Sequence, residues 1–313
     1  VAGERLRVAV VGVGHLGRHH ARILSTLEGV QLVAVVDTNA ERAAAAAAST
    51  GAPARADFLE IVGDVDAVTV AVPTELHREV ALPFLERGVA VLVEKPMARS
   101  LSEADDLIAA ARASGATLAV GHTERYNPAV AAVLPLVTSP RFIEVHRLGA
   151  FPERSLDIDV VFDLMIHDLD IILALVRSEV ESIEAVGVPV LTAKYDIANA
   201  RLRFASGCIA NVTASRISKE RVRKIRFFQP DAYISIDYAA QEVEGWRLVR
   251  KDGARPAIEG GPLPVARDEP LRRELADFVR AVREKRPPLV DGDAGRRALE
   301  LATRIAEKME PAS

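Results

Sequence analysis

Three groups of residues in this sequence have types and spacings that could do chemistry. Asp163 and His167 stand four apart in the run Asp163-Leu164-Met165-Ile166-His167-Asp168-Leu169-Asp170, and on a helix that spacing puts both on one face. An acid and an imidazole aimed at one spot can move a proton, because histidine titrates where a base is useful. Ordinary helix pairs and core histidines share the spacing. Here, however, Leu164, Ile166, Leu169, Ile171 and Ile172 surround the pair, so the helix is buried on more than one side and its ionisable groups need a reason. Lys95, in Glu94-Lys95-Pro96, follows the apolar run Ala90–Val93. A cation at a strand end could steady negative charge on a reacting oxygen, although a lone lysine before a proline is more often simply exposed. The third group is Gly12, Gly14 and Gly17 at G-x-G-x-x-G spacing within Val8–Gly17.

The glycines sit where a dinucleotide needs them. An apolar run of strand length precedes them, a helix-like segment from Arg18 to Glu28 follows, and a second apolar run, Gln31–Val36, ends in Asp37. Gly12 permits the tight turn, Gly14 has no side chain to block a pyrophosphate, and Gly17 lets the helix pack close to the strand. The helix start offers unpaired N–H groups and a positive dipole end to phosphates. Asp37, twenty residues beyond Gly17, is placed to accept hydrogen bonds from the adenosine ribose hydroxyls. A carboxylate there repels a 2′-phosphate, so NAD is expected over NADP.

The elements that must position these groups follow from pattern. The first part alternates strand and helix, as a parallel sheet with crossover helices does. Asn39 to Arg42 opens a helix that the alanines Ala43–Ala48 continue. Asp57–Val62 reads as a short helix, Ala67–Val72 as a buried strand, and Glu75–Arg87 as a helix capped by Thr74 and kinked or split at Pro83. Ala90–Val93, the helix Ser102–Ser114 and the strand Thr117–Gly121 complete the alternation. Asn127-Pro128 then reads as a cap and first position of a short helix, Arg141–Ala150 as a strand and Asp163–Val176 as a helix. Six further strand-like runs lie between Ile183 and Arg250 with short turns between them, which implies a mostly antiparallel sheet. Pro256–Pro270 reads as a connection, and Leu271–Glu284 and Ala294–Glu307 as closing helices. The expected fold is α/β: a doubly wound Rossmann domain over 1–122, then an α/β domain over 123–313 with an open, mostly antiparallel sheet for substrate binding and oligomerisation. The closing helices over 271–308 are candidates to pack back on the first domain.

Composition excludes several classes. The chain has 313 residues, enough for two cores, and a net charge of −4, which gives no electrostatic footprint for nucleic acid. No apolar stretch approaches membrane-spanning length and the sequence goes straight into its first strand, so a cytoplasmic protein without membrane partners is expected. Cys208 is the only cysteine, which rules out an internal disulfide and a multi-cysteine zinc site. His19 and His20 flank the glycine turn, and His122, His146 and His167 lack ligand spacing, so no metal is expected.

Taken together, the sequence resembles the glucose–fructose oxidoreductase, inositol dehydrogenase and related oxidoreductases (Gfo/Idh/MocA). Five segments carry the resemblance: Gly12-Val13-Gly14-His15-Leu16-Gly17 with His20, Val72-Pro73-Thr74-Glu75-Leu76-His77, Glu94-Lys95-Pro96, Arg125-Tyr126-Asn127-Pro128, and Asp163 to Asp170. It implies that His15, Leu16, Pro73, Thr74, His77, Glu94 and Lys95 join Gly12, Gly14, Gly17 and Asp37 at the NAD. It also implies that Lys95, Asp163 and His167 are catalytic, and that Arg125, Tyr126 and Asn127 join them at the substrate. Oxidising a secondary alcohol requires loss of the hydroxyl proton as hydride leaves for the nicotinamide. His167 is the expected base, Lys95 the group that steadies alkoxide charge, and Asp163 the group that orients substrate. Many relatives carry a glycine pair before the Asp-x-x-x-His helix; Asp157-Ile158-Asp159-Val160 stands there instead. Asp196 to Arg201 and Asn211 to Arg216 look most like the branch that oxidises UDP-N-acetylglucosamine at the sugar 3-hydroxyl.

The expected partner is therefore a sugar or nucleotide sugar. Inositol or polyol oxidation, a glycoside hydrolase or epimerase that returns the hydride, and a non-enzymatic NAD sensor are alternatives. Both alternating sets of Ala198–Phe204 and Cys208–Ile217 include apolar residues, and two closing helices are few to cover them. Self-association through this sheet, as a homodimer or homotetramer, is expected on that ground and is also what the resemblance implies.

Overall fold

The computed structural model describes residues 5–151, 158–250 and 255–309. Its contacts divide the chain into two units, one of residues 1–123 with 271–299, the other of 124–270 with 300–313. Asp157 lies outside the described residues, so the structure says nothing of that part of the departure from the family pattern.

The first unit holds six parallel strands: β1 (Leu6–Val11), β2 (Val30–Val36), β3 (Ala54–Arg55), β4 (Ala67–Val70), β5 (Ala90–Glu94) and β6 (Leu118–Gly121). Their order is β3-β2-β1-β4-β5-β6. The chain turns from one direction to the other between β1 and β4, and the crevice outside the carboxyl ends of strands at such a point is where open α/β sheets bind ligands. Buried Val, Ala and Leu side chains fill β1, β4 and β5, as strands covered on both faces require. The helices α1 (Gly17–Leu24), α2 (Ala40–Thr50), α3 (His77–Glu86) and α4 (Leu101–Ser114) connect them. Leu275, Phe278 and Val279 of a later helix, α7 (Pro270–Glu284), join the core built on β1 and β2.

Local details differ from the sequence expectation in two places here. Thr74 starts a 3-10 turn, Thr74–Leu76, and its side chain caps nothing; α3 then begins at His77. Pro83 lies inside α3, which runs through it unbroken. In the last turns of so short a helix, the missing N–H costs a single hydrogen bond.

The second unit is built on eight strands in the order β14-β13-β12-β11-β7-β10-β9-β8. They are β7 (Phe142–Leu148), β8 (Val180–Val188), β9 (Ile197–Phe204), β10 (Ile209–Ser215), β11 (Val222–Gln229), β12 (Ala232–Asp237), β13 (Glu242–Val249) and β14 (Ala257–Leu263). Among the described residues, only the β7–β10 pair of this sheet is parallel. The edge strand β14 corrects the reading of Pro256–Pro270 as a connection. Its sequence, AIEGGPL, lacks alternation, and it pairs because Gly260 comes so close to β13 that an added Cβ would stand 2.0 Å from the Gly245 carbonyl oxygen. The sides of β9 are also more sharply sorted than its composition suggests: Ala198, Ala200, Leu202 and Phe204 are buried, while Asn199, Arg201 and Arg203 are exposed. Small alanines are the apolar residues of one face, not evidence of two.

Two short helices and one long one matter for the site in this unit. The helix α5 (Pro128–Val133) is capped by Asn127 and lies against β12 and β13. The Asp-x-x-x-His segment opens as a π-turn, Val161–Met165, which rests on β10 and continues as α6 (Ile166–Val176). The last helix, α8 (Gly292–Lys308), has residues in both units.

Candidate active site

In the first unit, the carboxyl ends of β1, β4 and β5 gather the glycine turn, the Val72–Thr74 segment and Lys95. Gly12 has φ +85°, and an added Cβ would stand 2.7 Å from the Ala71 carbonyl. Gly17 is tighter still, since its Cβ would stand 1.7 Å from the Gly12 oxygen. Both glycines are therefore demanded by packing of turn, helix and strand. Gly14 meets nothing within 4 Å. Its main chain opens on free space, which is the cradle a pyrophosphate needs at a helix start. Asp37, at the end of β2, reaches back to this turn. Its Oδ2 accepts the Val13 N–H at 3.0 Å and its Oδ1 accepts the Asn39 N–H at 2.9 Å, with the side chain half-buried and lone pairs left over. These residues fit a dinucleotide.

Burial sorts the other expected NAD residues into two sets. His15, Leu16 and Pro73 are exposed, and Thr74 and Lys95 are half-buried, so each presents atoms to a ligand. His77 and Glu94 are buried at 1% and 6% exposure, and their polar atoms are used within the unit. His77 Nδ1 lies 2.9 Å from the Pro96 carbonyl oxygen and Nε2 lies 3.0 Å from that of Val72. Burial pushes this imidazole down from its ordinary range, against the pull of those carbonyls and of the Glu94 charge. His77 thus packs between the segment after β4 and the one after β5, with one N–H to give to one of the two carbonyls. Glu94 accepts from His20 and from the Lys95 N–H. Neither side chain reaches the surface, and both brace the strand ends beside the other residues expected at NAD.

In the second unit, Asp163 lies in the π-turn and His167 in the first turn of α6, both half-buried. π-turns inside helices are frequent at functional sites. Their immediate supports are buried charges. Arg147 of β7 donates from Nε to Asp168 Oδ2 at 2.5 Å, from Nη2 to Asp168 Oδ1 at 3.1 Å, and from Nη1 to Glu124 at 3.2 Å. Its guanidinium also stacks over the Tyr238 ring, 5.2 Å from the centroid. Burial opposes the charge on Arg147, but the two carboxylates outweigh it and raise the group above the usual arginine range. Arg125 makes a second bidentate pair, to Asp170 at 2.8 and 2.7 Å. His167 is thus next to one anchored aspartate and three residues before another.

Two of the expected substrate residues serve these supports. Asn127 is 2% exposed; its Oδ1 accepts the Ala129 N–H, and its amide donates to Glu124 and to the Tyr238 carbonyl. Both ends of its amide are thereby engaged within the unit. Arg125 is occupied by Asp170 as described, and Tyr126 is buried. A further clamp holds the approach to the π-turn. Asp196 accepts the N–H groups of Val190, Leu191 and Thr192 at 2.6–2.9 Å and Arg216 Nε at 2.9 Å, while Arg216 Nη1 donates to the Ile158 carbonyl at 2.7 Å. Despite burial, these donors hold the Asp196 carboxyl far below the usual carboxylate range.

Sequence reasoning passed over Arg147, although a signal existed. In Phe142–Leu148 the buried positions alternate, and Arg147 falls in step with Ile143 and Val145. A charge at a buried position of a strand demands a partner. Among the described residues, no cluster of three or more His, Cys, Asp or Glu side chains is placed to hold a metal ion, and no helix is long and apolar enough to cross a membrane.

Comparison with known proteins bears on the same segments. A model of the Gfo/Idh/MocA oxidoreductase family, NAD-binding Rossmann fold, matches residues 6–122, and a model of the family's C-terminal domain matches residues 142–234. A UDP-N-acetylglucosamine 3-dehydrogenase from Acidithiobacillus ferrooxidans is 39% identical over 309 residues, 97% of each chain. This chain belongs to the Gfo/Idh/MocA family. As a Gfo/Idh/MocA protein it is an NAD-binding oxidoreductase acting on CH–OH groups. A solved structure of the Acidithiobacillus enzyme superposes with a TM-score of 0.92 at 38% identity, covering 97% of this chain and 98% of that one. Inositol 2-dehydrogenase 1 from Paenarthrobacter aurescens is 31% identical over 224 residues, 67% of this chain and 66% of its own length. Levoglucosan dehydrogenase, solved with NADH and levoglucosan, shares the fold at 19% identity and a TM-score of 0.86, covering 97% of each chain.

Proposed function

We propose that this Gfo/Idh/MocA enzyme oxidises a nucleotide sugar, UDP-N-acetylglucosamine, at its 3-hydroxyl with NAD as acceptor. The observation that carries this reading is 39% identity, over an alignment that spans 97% of the chain, with a dehydrogenase of that substrate. NAD, when bound, supplies the acceptor for the hydride of the sugar carbon. His167 takes the proton of the hydroxyl, Lys95 steadies the negative charge that gathers on its oxygen, and Asp163 orients the substrate. Gly14 and the start of α1 receive the pyrophosphate, Asp37 the adenosine ribose, and His15, Leu16, Pro73 and Thr74 line the cofactor. The Asp37 carboxylate makes NAD the better cofactor. Both reactants being small nucleotides, the reading places the enzyme in the cytoplasm.

The test is a spectrophotometric one. Purified protein with NAD is given UDP-N-acetylglucosamine, other UDP-sugars and inositols in turn. NADH accumulation with UDP-N-acetylglucosamine is expected, with a 3-keto product by mass spectrometry. Reduction of NAD by an inositol alone would favour the second reading, which the Paenarthrobacter similarity supports. Turnover of a sugar without net NADH would point to hydride return, as in a hydrolase or epimerase.

The outer face of the eight-stranded sheet supports self-association. Phe142, Phe228, Tyr233 and Trp246 form a row across four strands, with ring spacings of 5.6 and 5.2 Å for the first two steps. Beside that row runs a polar ladder in which Arg226 donates to Glu144 at 2.6 Å and Arg201 to Asn211 at 3.1 Å. Aromatics bordered by paired charges suit a specific interface between copies. A dimer or tetramer at micromolar concentration is expected in sedimentation, and a monomer would refute it.

A further inference from the structure

Glu94 and His20 have a structure of their own behind Lys95. Glu94 closes β5, and its carboxylate turns back beneath the next peptide, where Oε2 accepts the Lys95 N–H at 3.3 Å. Its Oε1 accepts from His20 Nε2 at 3.1 Å, and His20, three residues into α1 beyond Gly17, is fully buried. Gly121 on β6 stands opposite Glu94 in the sheet register. A Cβ there would lie 3.0 Å from Cδ and both oxygens of the carboxylate, so the missing side chain is the seat in which the carboxylate rests.

The hydrogen-bond pattern fixes the direction of support. His20 Nδ1 is buried with no hydrogen-bond partner, so it suits the nitrogen without hydrogen, and Nε2 is the donor. Burial alone would push the Glu94 carboxyl up; the His20 hydrogen bond and neighbouring charges, Lys95 among them, outweigh it and keep the group anionic. On the far side of Lys95, His77 Nδ1 lies 2.9 Å from the Pro96 carbonyl oxygen. Both flanks of one residue therefore lie against buried imidazoles, from α1 and from α3. A surface loop with no task would not need such anchoring, because exposed peptide groups bond to water at little cost.

We propose that His20 and Glu94 are positioning residues for Lys95: the helix that follows the glycine turn fixes, through one buried carboxylate, where the lysine amine stands. The inference rests on the role given to Lys95 above and deepens it. Neither His20 nor Glu94 touches substrate or cofactor in this account. Misplacing a reacting group by about 1 Å can cost on the order of a hundredfold in rate, which sets the scale of the expected effect.

Three variants test it: His20→Leu, which removes the donor; His20→Gln, which keeps an N–H within reach; and Glu94→Gln, which keeps the shape and removes the charge. For each, kcat, KM, NAD affinity and thermal stability are measured, together with the rate at which Lys95 is labelled by acetic anhydride, read by peptide mass spectrometry. His20→Leu and Glu94→Gln should lower kcat by about a hundredfold, leave NAD affinity within a few-fold, and raise the labelling rate of Lys95. His20→Gln should recover most of kcat and the parental labelling rate. Folded His20→Leu and Glu94→Gln enzymes with parental kcat and parental Lys95 labelling would overturn the proposal. If His20→Leu does not fold, the isosteric Glu94→Gln decides by the same two readouts. A Lys95→Met enzyme with normal kcat would instead overturn the role of Lys95, and the labelling rates would still decide whether His20 and Glu94 position its amine.

Discussion

At the carboxyl edge of the six-stranded sheet, the surface offered to a ligand is made largely of main chain. Gly14 leaves open space before α1, and Gly12 and Gly17 are fixed by packing in which an added Cβ would stand 2.7 and 1.7 Å from neighbouring main-chain atoms. Around Asp163 and His167 the reverse holds. The π-turn and α6 are seated by buried ion pairs, Arg147 with Asp168 and Glu124, and Arg125 with Asp170, with the Asp196–Arg216 clamp before them. In the proposed reading the first region receives the common part of the cofactor, two phosphates and a ribose, which backbone donors can satisfy. The second must hold an acid and an imidazole in one orientation within an apolar surrounding, and fixed charges give that orientation at a cost in desolvation.

The sharpest way to break this contrast is Arg147→Met. It leaves Asp168 buried, and Glu124 half-buried, without their cation, and losing one partner of a buried pair costs about 3–5 kcal/mol. Denaturant unfolding should show that loss. A change under about 1 kcal/mol would mean the pairs do not hold the helix. Asp196→Asn should cost about 2–3 kcal/mol at neutral pH, the scale of hydrogen bonds to a charged group. The sign with pH follows from the direction of its shift. A carboxyl held low in the folded state contributes stability above its unfolded pKa of about 4 and loses it as pH falls through the folded value. The gap between parent and Asp196→Asn should therefore be full at neutral pH and narrow in acid; a gap that widened there would contradict the clamp.

On the backbone-built side, Gly17→Ala should cost about 1–3 kcal/mol of stability by overpacking and remove most NAD affinity, because the turn must move to admit the Cβ. Calorimetric titration with NAD checks it. A smaller effect is expected of Asp37→Ser, which should narrow the preference for NAD over NADP by about tenfold, or about 1.4 kcal/mol. Parental protein that used NADP as well as NAD would remove the basis of that expectation.

The same contrast explains what could be read from the sequence. The glycine turn, Asp37 and the alternation of strand and helix are local patterns, so each was visible in a single stretch of residues. Asn127 as a cap was visible for the same reason. The partners of the buried charges are separated by long stretches of chain: Arg147 from Asp168, Asp196 from Arg216, His20 from Glu94. No local spacing announces them, and only the buried parity of Arg147 hinted that one was needed. The π-turn was hidden because its residues also satisfy a helical pattern. The edge strand β14 was hidden because Gly and Pro, which usually interrupt strands, here allow close approach to β13.

The central claim is that His167 removes the proton of the substrate hydroxyl. The most direct measurement is kcat and KM of His167→Ala with UDP-N-acetylglucosamine, alongside its NAD affinity by titration. General-base catalysis is worth about a hundredfold to ten-thousandfold, so a fall in kcat of that size with NAD affinity unchanged is the predicted result. A folded His167→Ala enzyme with near-parental kcat would contradict the claim and leave His167 as a residue of the helix core.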